Sequence, residues 1–287
     1  MAQTKPFDTR ASLDAGIREL VSSARWQAWL DTASKFHNYS FGNQLLIALQ
    51  MPEATRVAGY NAWKDLGRQV RKGEKSIRIL APRTGYKKDK EAGEKTEEKF
   101  LYFVSVGVFD VAQTDGDDLP EIASLLTGAG PAGAWAALVA FAESIGFKVV
   151  VQGMASPSLN GYCSHLDKLI AISAANDEAM QVKTLAHEIG HALLHGESTP
   201  GDMTRGEKEL EAESVAFIVG KELGLDTGDY SFGYVASWAQ GGDKALEALK
   251  ASAARIHDAA KQVINSVSYS AEHLADAVTI EKELVAA

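Results

Sequence analysis

His187-Glu188-Ile189-Gly190-His191 decides the architecture, because its chemistry works only on a helix. Residues i and i+4 share a helical face about 6 Å apart along the axis, so both imidazoles can reach one ion. Glu188, beside the first histidine, stands where such motifs place the general base for a metal-activated water. Zinc is the default ion, since histidine and carboxylate donors suit it and its catalytic sites combine three protein ligands with water. Mn2+ and Co2+ are also compatible with such donors. Chance would give this spacing in a 287-residue chain with a probability of about 1%. The helix is expected to start near Asn176 as N-cap, with Asp177 and Glu178 complementing the helix dipole.

One more ligand is needed, from a second element packed beside the first. Glu207, Glu209, Glu211 and Glu213 lie downstream, on a segment whose Leu210, Val215, Phe217, Ile218 and Leu223 make an imperfect apolar stripe. Glu213 precedes Ala216 by three residues and Phe217 by four, so it points toward the packed side. A buried carboxylate there needs a compensating charge, which a metal ion supplies. Glu213 is therefore the first choice and Glu209, one turn earlier, the second; Glu207 and Glu211 read as solvated. His195 extends the histidine pattern but lies about 12 Å along the axis from His187, too far for one ion. Leu194 and Glu197 occupy the positions where a metzincin has glycine and its third histidine, which excludes that class. His195 reads instead as a residue closing the helix before Gly196.

The rest of the chain is consistent with a soluble cytoplasmic protein. It is long enough for two domains. Its one cysteine, Cys163, excludes an internal disulfide framework and reads as a packed thiol. Lys5, Asp8 and Arg10 without an apolar run argue against a secretory signal. The longest apolar stretch, Ala134 to Ala142, is too short for a bilayer, so no membrane partner is expected. The net charge of −9 hides an asymmetry: residues 56–90 carry eleven basic and three acidic side chains. A basic patch on an acidic protein points to a polyanion partner for that patch.

An α+β protein with two domains is expected, 1–120 and 121–287. The first has helices over Leu13–Val21, Trp26–Ala33, Asn43–Gln50 and Asn61–Leu66, the last ended by Gly67. A small antiparallel sheet follows from Lys75–Leu80 and Phe100–Val111, with Arg83 to Lys99 as a mobile, solvated hairpin tip. The second domain reads as a helix (134–145), strands at 147–152 and 169–173 separated by a loop, the metal-bearing helix, and a long helix over 245–267. Leu169–Ser173 would present an edge to an extended substrate.

Several segments resemble the ArdC-like antirestriction proteins of plasmids and phages. In the N-terminal half they are Tyr39-Ser40-Phe-Gly-Asn43, Gly59-Tyr60-Asn-Ala-Trp63, Leu66-Gly67-Arg68-Gln-Val70-Arg71-Lys72-Gly73-Glu74-Lys75 and Val108-Phe109-Asp110-Val111. In the C-terminal half they are Thr184 to His195, Glu211-Ala-Glu213-Ser-Val-Ala-Phe217 and Tyr234-Val-Ala-Ser-Trp238. The resemblance implies an N-terminal domain that binds single-stranded DNA and a C-terminal zincin-like metallopeptidase of the ImmA/IrrE group, with the HExxH motif on its active-site helix. It also favours Glu213 as third ligand, as a glutamate four residues before phenylalanine. For DNA it singles out Tyr39 and Asn43 in the first segment. Arg68, Arg71, Lys72 and Lys75 cluster around a glycine turn and suit a phosphate backbone, while Trp63, Tyr39, Tyr60 and Tyr86 offer stacking faces where exposed; Trp63 and Tyr60 read equally as core, and Trp63 more readily so.

The leading expectation is a zinc peptidase tethered to a DNA-binding domain and acting on a protein substrate. His187, His191 and Glu213 hold the ion, Glu188 is the base, and Tyr234 or Tyr230 is the oxyanion donor. One alternative is a non-proteolytic antirestriction protein that occupies DNA, with a structural metal. Another is a protease that cleaves a repressor or a DNA–protein crosslink.

Overall fold

A computed structural model describes residues 7–88, 95–117, 130–196, 203–225, 227, 230, 232, 235 and 242–274. In chain order the elements are α1 (Thr9–Glu19), α2 (Ser23–Lys35), α3 (Phe41–Gln50), β1 (Val57–Gly59), α4 (Tyr60–Asp65) and β2 (Arg68–Val70). Then come β3 (Ile77–Lys88), β4 (Lys95–Asp110) and β5 (Thr114–Gly116). The remainder comprises α5 (Gly130–Ser144), β6 (Lys148–Gln152), β7 (Gly161–Ser164), β8 (Leu169–Ser173), α6 (Glu178–Leu194), α7 (Arg205–Glu222) and α8 (Gly242–Leu274). The mixture of helices and small sheets is α+β.

Two compact units form, one from residues 1–16 and 42–119, the other from 17–41 and 120–287. Residues 17–41 cluster with the second unit. The reason lies in α2. Trp26 and Trp29 are fully buried edge to face, and the Trp26 indole donates to Ser214 Oγ on α7 at 3.0 Å. Lys221 of α7 also pairs with Asp31 at 2.6 Å. The apolar face of α2 was legible in the sequence; the helix that covers it was not.

In the first unit β4 lies between β1 and β3, antiparallel to both, and β2 pairs with β5. The side of β3 away from β4 is closed by α3. Asn43 bonds both backbone groups of Leu80, at 2.9 and 3.0 Å, and Gln50 does the same for Arg78. Two amides thereby satisfy strand groups that would otherwise be an open edge. The ladder extends further than expected: Arg83, Thr84, Gly85 and Tyr86 pair with Tyr102, Leu101, Phe100 and Lys99. These residues are strand, not a loose tip, because Thr and Tyr alternate with the charges and suit an extended ribbon.

In the second unit the order is β6-β8-β7, with β8 parallel to β6 and antiparallel to β7. Strand β7 falls where a loop was expected. It makes β8 central, so Leu169–Ser173 presents no free edge; among the described residues the edge strands are β6 and β7, and β7 is the one that lines the cleft described below. Helix α6 lies against this sheet and α7 packs beside α6. Asp177, one residue after the expected Asn176, caps α6 by accepting from Met180 N at 2.8 Å. Thr204 and Glu207 form a reciprocal capping box on α7.

Candidate metal centre

The regular turn of α6 stacks His187 on His191, bringing their Nε2 atoms to 3.1 Å. Helix α7 supplies the third group: Glu209 Oε2 lies 3.4 Å from His187 Nε2 and 3.6 Å from His191 Nε2. These ligand atoms all fall within 4.8 Å of one another. Donors about 2 Å from a tetrahedral ion stand roughly 3.3 Å apart, so this triangle has the size of a zinc-type site. The donor set fits a divalent cation.

Glu213, the first choice from sequence, lies elsewhere in the group. Its Oε2 faces His187 Nδ1 at 3.6 Å, on the ring nitrogen turned away from the Nε2 pair. Among the described residues Glu209 completes the triangle with the two Nε2 atoms, and Glu213 faces the other ring nitrogen of His187. Glu211 differs from the sequence reading. It is fully buried rather than solvated, held by Arg255 of α8 and by His195. A buried carboxylate requires such partners.

These neighbours shift one another's protonation. Burial, then the neighbouring His187 and His195, push the His191 ring down to about 3. The hydrogen bond with His187 pulls the Glu209 carboxyl down to about 2 against the effect of burial. Burial opposes charge on His187, but Glu209, Glu188 and Glu213 outweigh it and raise its pKa. Glu188 is 6% exposed, and burial lifts its carboxyl to about 7 although His187 works the other way. Gly161 of β7 makes room beside it. A Cβ there would meet Thr184 Cγ2 at 2.6 Å and Ala171 O at 2.9 Å, with Glu188 Oε1 at 3.3 Å.

These groups line a cleft of about 650 Å³, bounded by Gly161, Tyr162 and Cys163 of β7 and by Tyr230. Burial and then Glu213 raise the Tyr230 phenol, so it stays protonated. Tyr234, the other candidate donor, lies outside the described residues. Burial drives the Cys163 thiol up to about 12, which removes it as a nucleophile near neutral pH.

The residues expected to contact DNA differ in their surroundings. Trp63 is 2% exposed and donates to Phe109 O at 2.8 Å, so its ring is core and offers no stacking face. The Asn43 amide is engaged by Leu80, as above. Arg68 donates to Thr114 Oγ1, Thr114 O and Gly116 O, and Arg71 pairs with Glu74 and Asp115. Tyr39 belongs to the second unit, partly buried and edge-on to Phe36. Lys72 and Lys75 remain exposed. Sequence reasoning passed over the better aromatic surface: Phe100, Leu101, Tyr102 and Phe103 are 43–64% exposed on the β3–β4 ribbon.

Two family models match, one in each half of the chain. Residues 11–109 match the family described as the N-terminal domain of anti-restriction factor ArdC, and residues 142–229 match the IrrE N-terminal-like domain, a peptidase family. A Bacillus anthracis protein of uncharacterised function is 27% identical over 82% of the chain. The chain aligns with only 46% of that relative's length. The metal-free crystal structure of the antirestriction ArdC protein from plasmid R388 is similar in fold, with TM-score 0.57 and 23% identity, covering 93% of this chain and 99% of that one. Its Mn(II)-bound form gives TM-score 0.56 and 21% identity, covering 91% and 98%.

Proposed function

Because the chain is ArdC-like in both halves, joining an ArdC N-terminal domain to an IrrE-like one, we propose that it is a divalent-metal-dependent peptidase serving an antirestriction or related mobile-element role, with an N-terminal domain that engages single-stranded DNA. The observation that carries the enzymatic half is the convergence of His187 Nε2, His191 Nε2 and Glu209 Oε2 in a cleft that also holds Glu188.

His187, His191 and Glu209 would hold the ion, zinc by donor chemistry or manganese by analogy with the Mn(II)-bound ArdC structure. When bound, such an ion supplies Lewis acidity toward a carbonyl and acidifies a water. Glu188 takes the water's proton at its carboxylate and passes it to the leaving nitrogen, a task suited to a group poised near neutrality. The open edge of β7 lines up an extended peptide by main-chain hydrogen bonds. Tyr230 O–H is placed in the same cleft to donate to the oxyanion.

For the DNA half, the exposed Phe100, Tyr102, Phe103 and Tyr86 of the ribbon support base stacking. A second cleft of about 890 Å³ beside Tyr60, Gln69 and Lys72 lies in the same unit and supports backbone contact. Among the described residues no helix is long and apolar enough to cross a membrane.

Glu188→Gln tests the reading. The variant should keep its metal and lose proteolysis of an unfolded protein substrate, assayed with and without single-stranded DNA. Full proteolysis by that variant overturns the mechanism. Undiminished antirestriction protection without proteolysis would favour the alternative, in which the protein acts by occupying DNA.

A further inference from the structure

Behind the metal triangle runs a chain of polar groups across three helices of the second unit. His191 Nδ1, the nitrogen facing away from Glu209, lies 2.8 Å from His195 Nδ1. His195 Nε2 lies 3.2 Å from Glu211 Oε2, and Arg255 donates to both oxygens of Glu211. The His195 side chain is 5% exposed and Glu211 is 0% exposed, so the link between them is shielded from water. Helix α6 contributes His191 and its C-cap His195, α7 the carboxylate and α8 the guanidinium.

The directions of these bonds follow from what each group can do. Arg255 only donates, and Glu211 held by it is a carboxylate that only accepts. The proton between Glu211 and His195 must therefore sit on His195 Nε2. When His195 carries that single proton it has a lone pair on Nδ1, and the 2.8 Å bond to His191 requires the proton on His191 Nδ1. That leaves the lone pair of His191 on Nε2, aimed at the point shared with His187 and Glu209. The opposite tautomer would place an N–H where the ion must bind and would set two lone pairs against each other 2.8 Å apart.

We propose that His195, Glu211 and Arg255 are positioning residues that fix the tautomer and ring orientation of His191 for metal binding. This rests on the metal-site reading given above. It assigns His195 a task beyond closing α6, for which its backbone N–H to His191 O at 2.9 Å already suffices. It also explains why α7 buries Glu211 on a helix that carries two other carboxylates toward the cleft. Outer partners of metal-ligating histidines are worth about 10–100-fold in metal affinity.

The test uses the full chain with His195→Met, which fills the space without polar groups, and His195→Gln, whose amide both accepts and donates. Zn(II) or Mn(II) affinity is read by competition with a chelating dye, and the ring tautomers of metal-free, 15N-histidine-labelled protein by NMR. Wild type should show His191 protonated on Nδ1. His195→Met should lose that signature and bind metal about 10–100-fold more weakly, while His195→Gln returns to within about threefold of wild type. Unchanged metal affinity in folded His195→Met, or His191 protonated on Nε2 in wild type, overturns the proposal. Should His195→Met fail to fold, the wild-type tautomer still decides. Wild type that takes up no divalent ion overturns the metal-site reading instead, leaving the tautomer measurement to judge the relay separately.

Discussion

Gly190 of α6 and Ala212 of α7 meet backbone to backbone: a Cβ on Gly190 would stand 3.0 Å from Ala212 Cα and 3.2 Å from Ala212 O. The contact lies between His187 and His191 on one helix and between Glu209, Glu211 and Glu213 on the other. It sets both the distance between the helices and the rotation of α7 about its axis. Those two quantities decide which carboxylate reaches the histidines.

Gly190→Ala should therefore act on the metal site more than on stability. The new methyl must push backbone by a few tenths of an ångström, and overpacking costs about 1–3 kcal/mol. Replacing glycine inside a helix returns roughly 1 kcal/mol. The two terms largely offset, so urea unfolding should show a loss of at most about 2 kcal/mol. Metal affinity, which depends on three donors staying within 4.8 Å, should fall. Wild-type affinity in this variant would show that the helix contact does not set the site.

The two candidate carboxylates separate by stoichiometry. Glu209→Ala removes an oxygen facing both Nε2 atoms and should yield purified protein with little bound metal. Glu213→Ala removes a group behind His187 and should retain a full equivalent, with affinity lowered by about 10–100-fold. Elemental analysis of both proteins checks this. The reverse pattern would reinstate Glu213 as the ligand.

Stability should fall as pH drops below about 6.5, partly through His37 and His257. Burial lowers both pKa values below the ordinary histidine value, with Lys261 also acting against charge on each. The Ser34 backbone bond to His37 and Asp258 beside His257 oppose this without reversing it. Both rings are thus held neutral in the fold, while the unfolded chain binds protons as pH falls through about 6.5. Stability is present above that value and is lost below it, by at most about 1.4 kcal/mol per pH unit for each histidine. Denaturant midpoints between pH 7 and 5.5 should be flatter for His37→Gln/His257→Gln than for wild type. Parallel curves would remove these histidines as the cause.

What the sequence made legible follows the range of the forces involved. HExxH spacing is local, so α6 and its two histidines could be placed without knowing anything else. Glu207, Glu209, Glu211 and Glu213 step along α7 by two residues, which scatters them around the helix; only the Gly190–Ala212 contact tells them apart. Their surroundings differ: Glu207 caps the helix, Glu209 faces both Nε2 atoms, Glu211 is buried and Glu213 faces His187 Nδ1. Trp63 illustrates the same limit, since an indole suits a core or a stacking platform until a partner such as Phe109 O is known. The charges between Arg83 and Lys99 concealed a ladder that depends on pairing across the chain.

Binding of single-stranded DNA should depend on the ribbon rather than on Trp63. Phe100 and Tyr102 lie on one face of β4 with ring centroids 5.7 Å apart, opposite Gly85 and Arg83 on β3. Phe100 covers Gly85, where a Cβ would approach its ring to 2.5 Å. Each exposed ring used for stacking contributes about 1–3 kcal/mol, so Phe100→Ala/Tyr102→Ala should weaken binding at least tenfold while leaving the fold intact. Trp63→Ala should instead destabilise the domain by about 3–5 kcal/mol, because it empties a core position. Lys72→Ala/Lys75→Ala should act through salt, reducing the slope of log affinity against log salt by about 0.7 for each phosphate left without its lysine. Fluorescence anisotropy with a labelled oligonucleotide at several salt concentrations distinguishes the three. Undiminished affinity in the ribbon variant, with an unchanged salt slope in the lysine variant, would place DNA elsewhere on the protein.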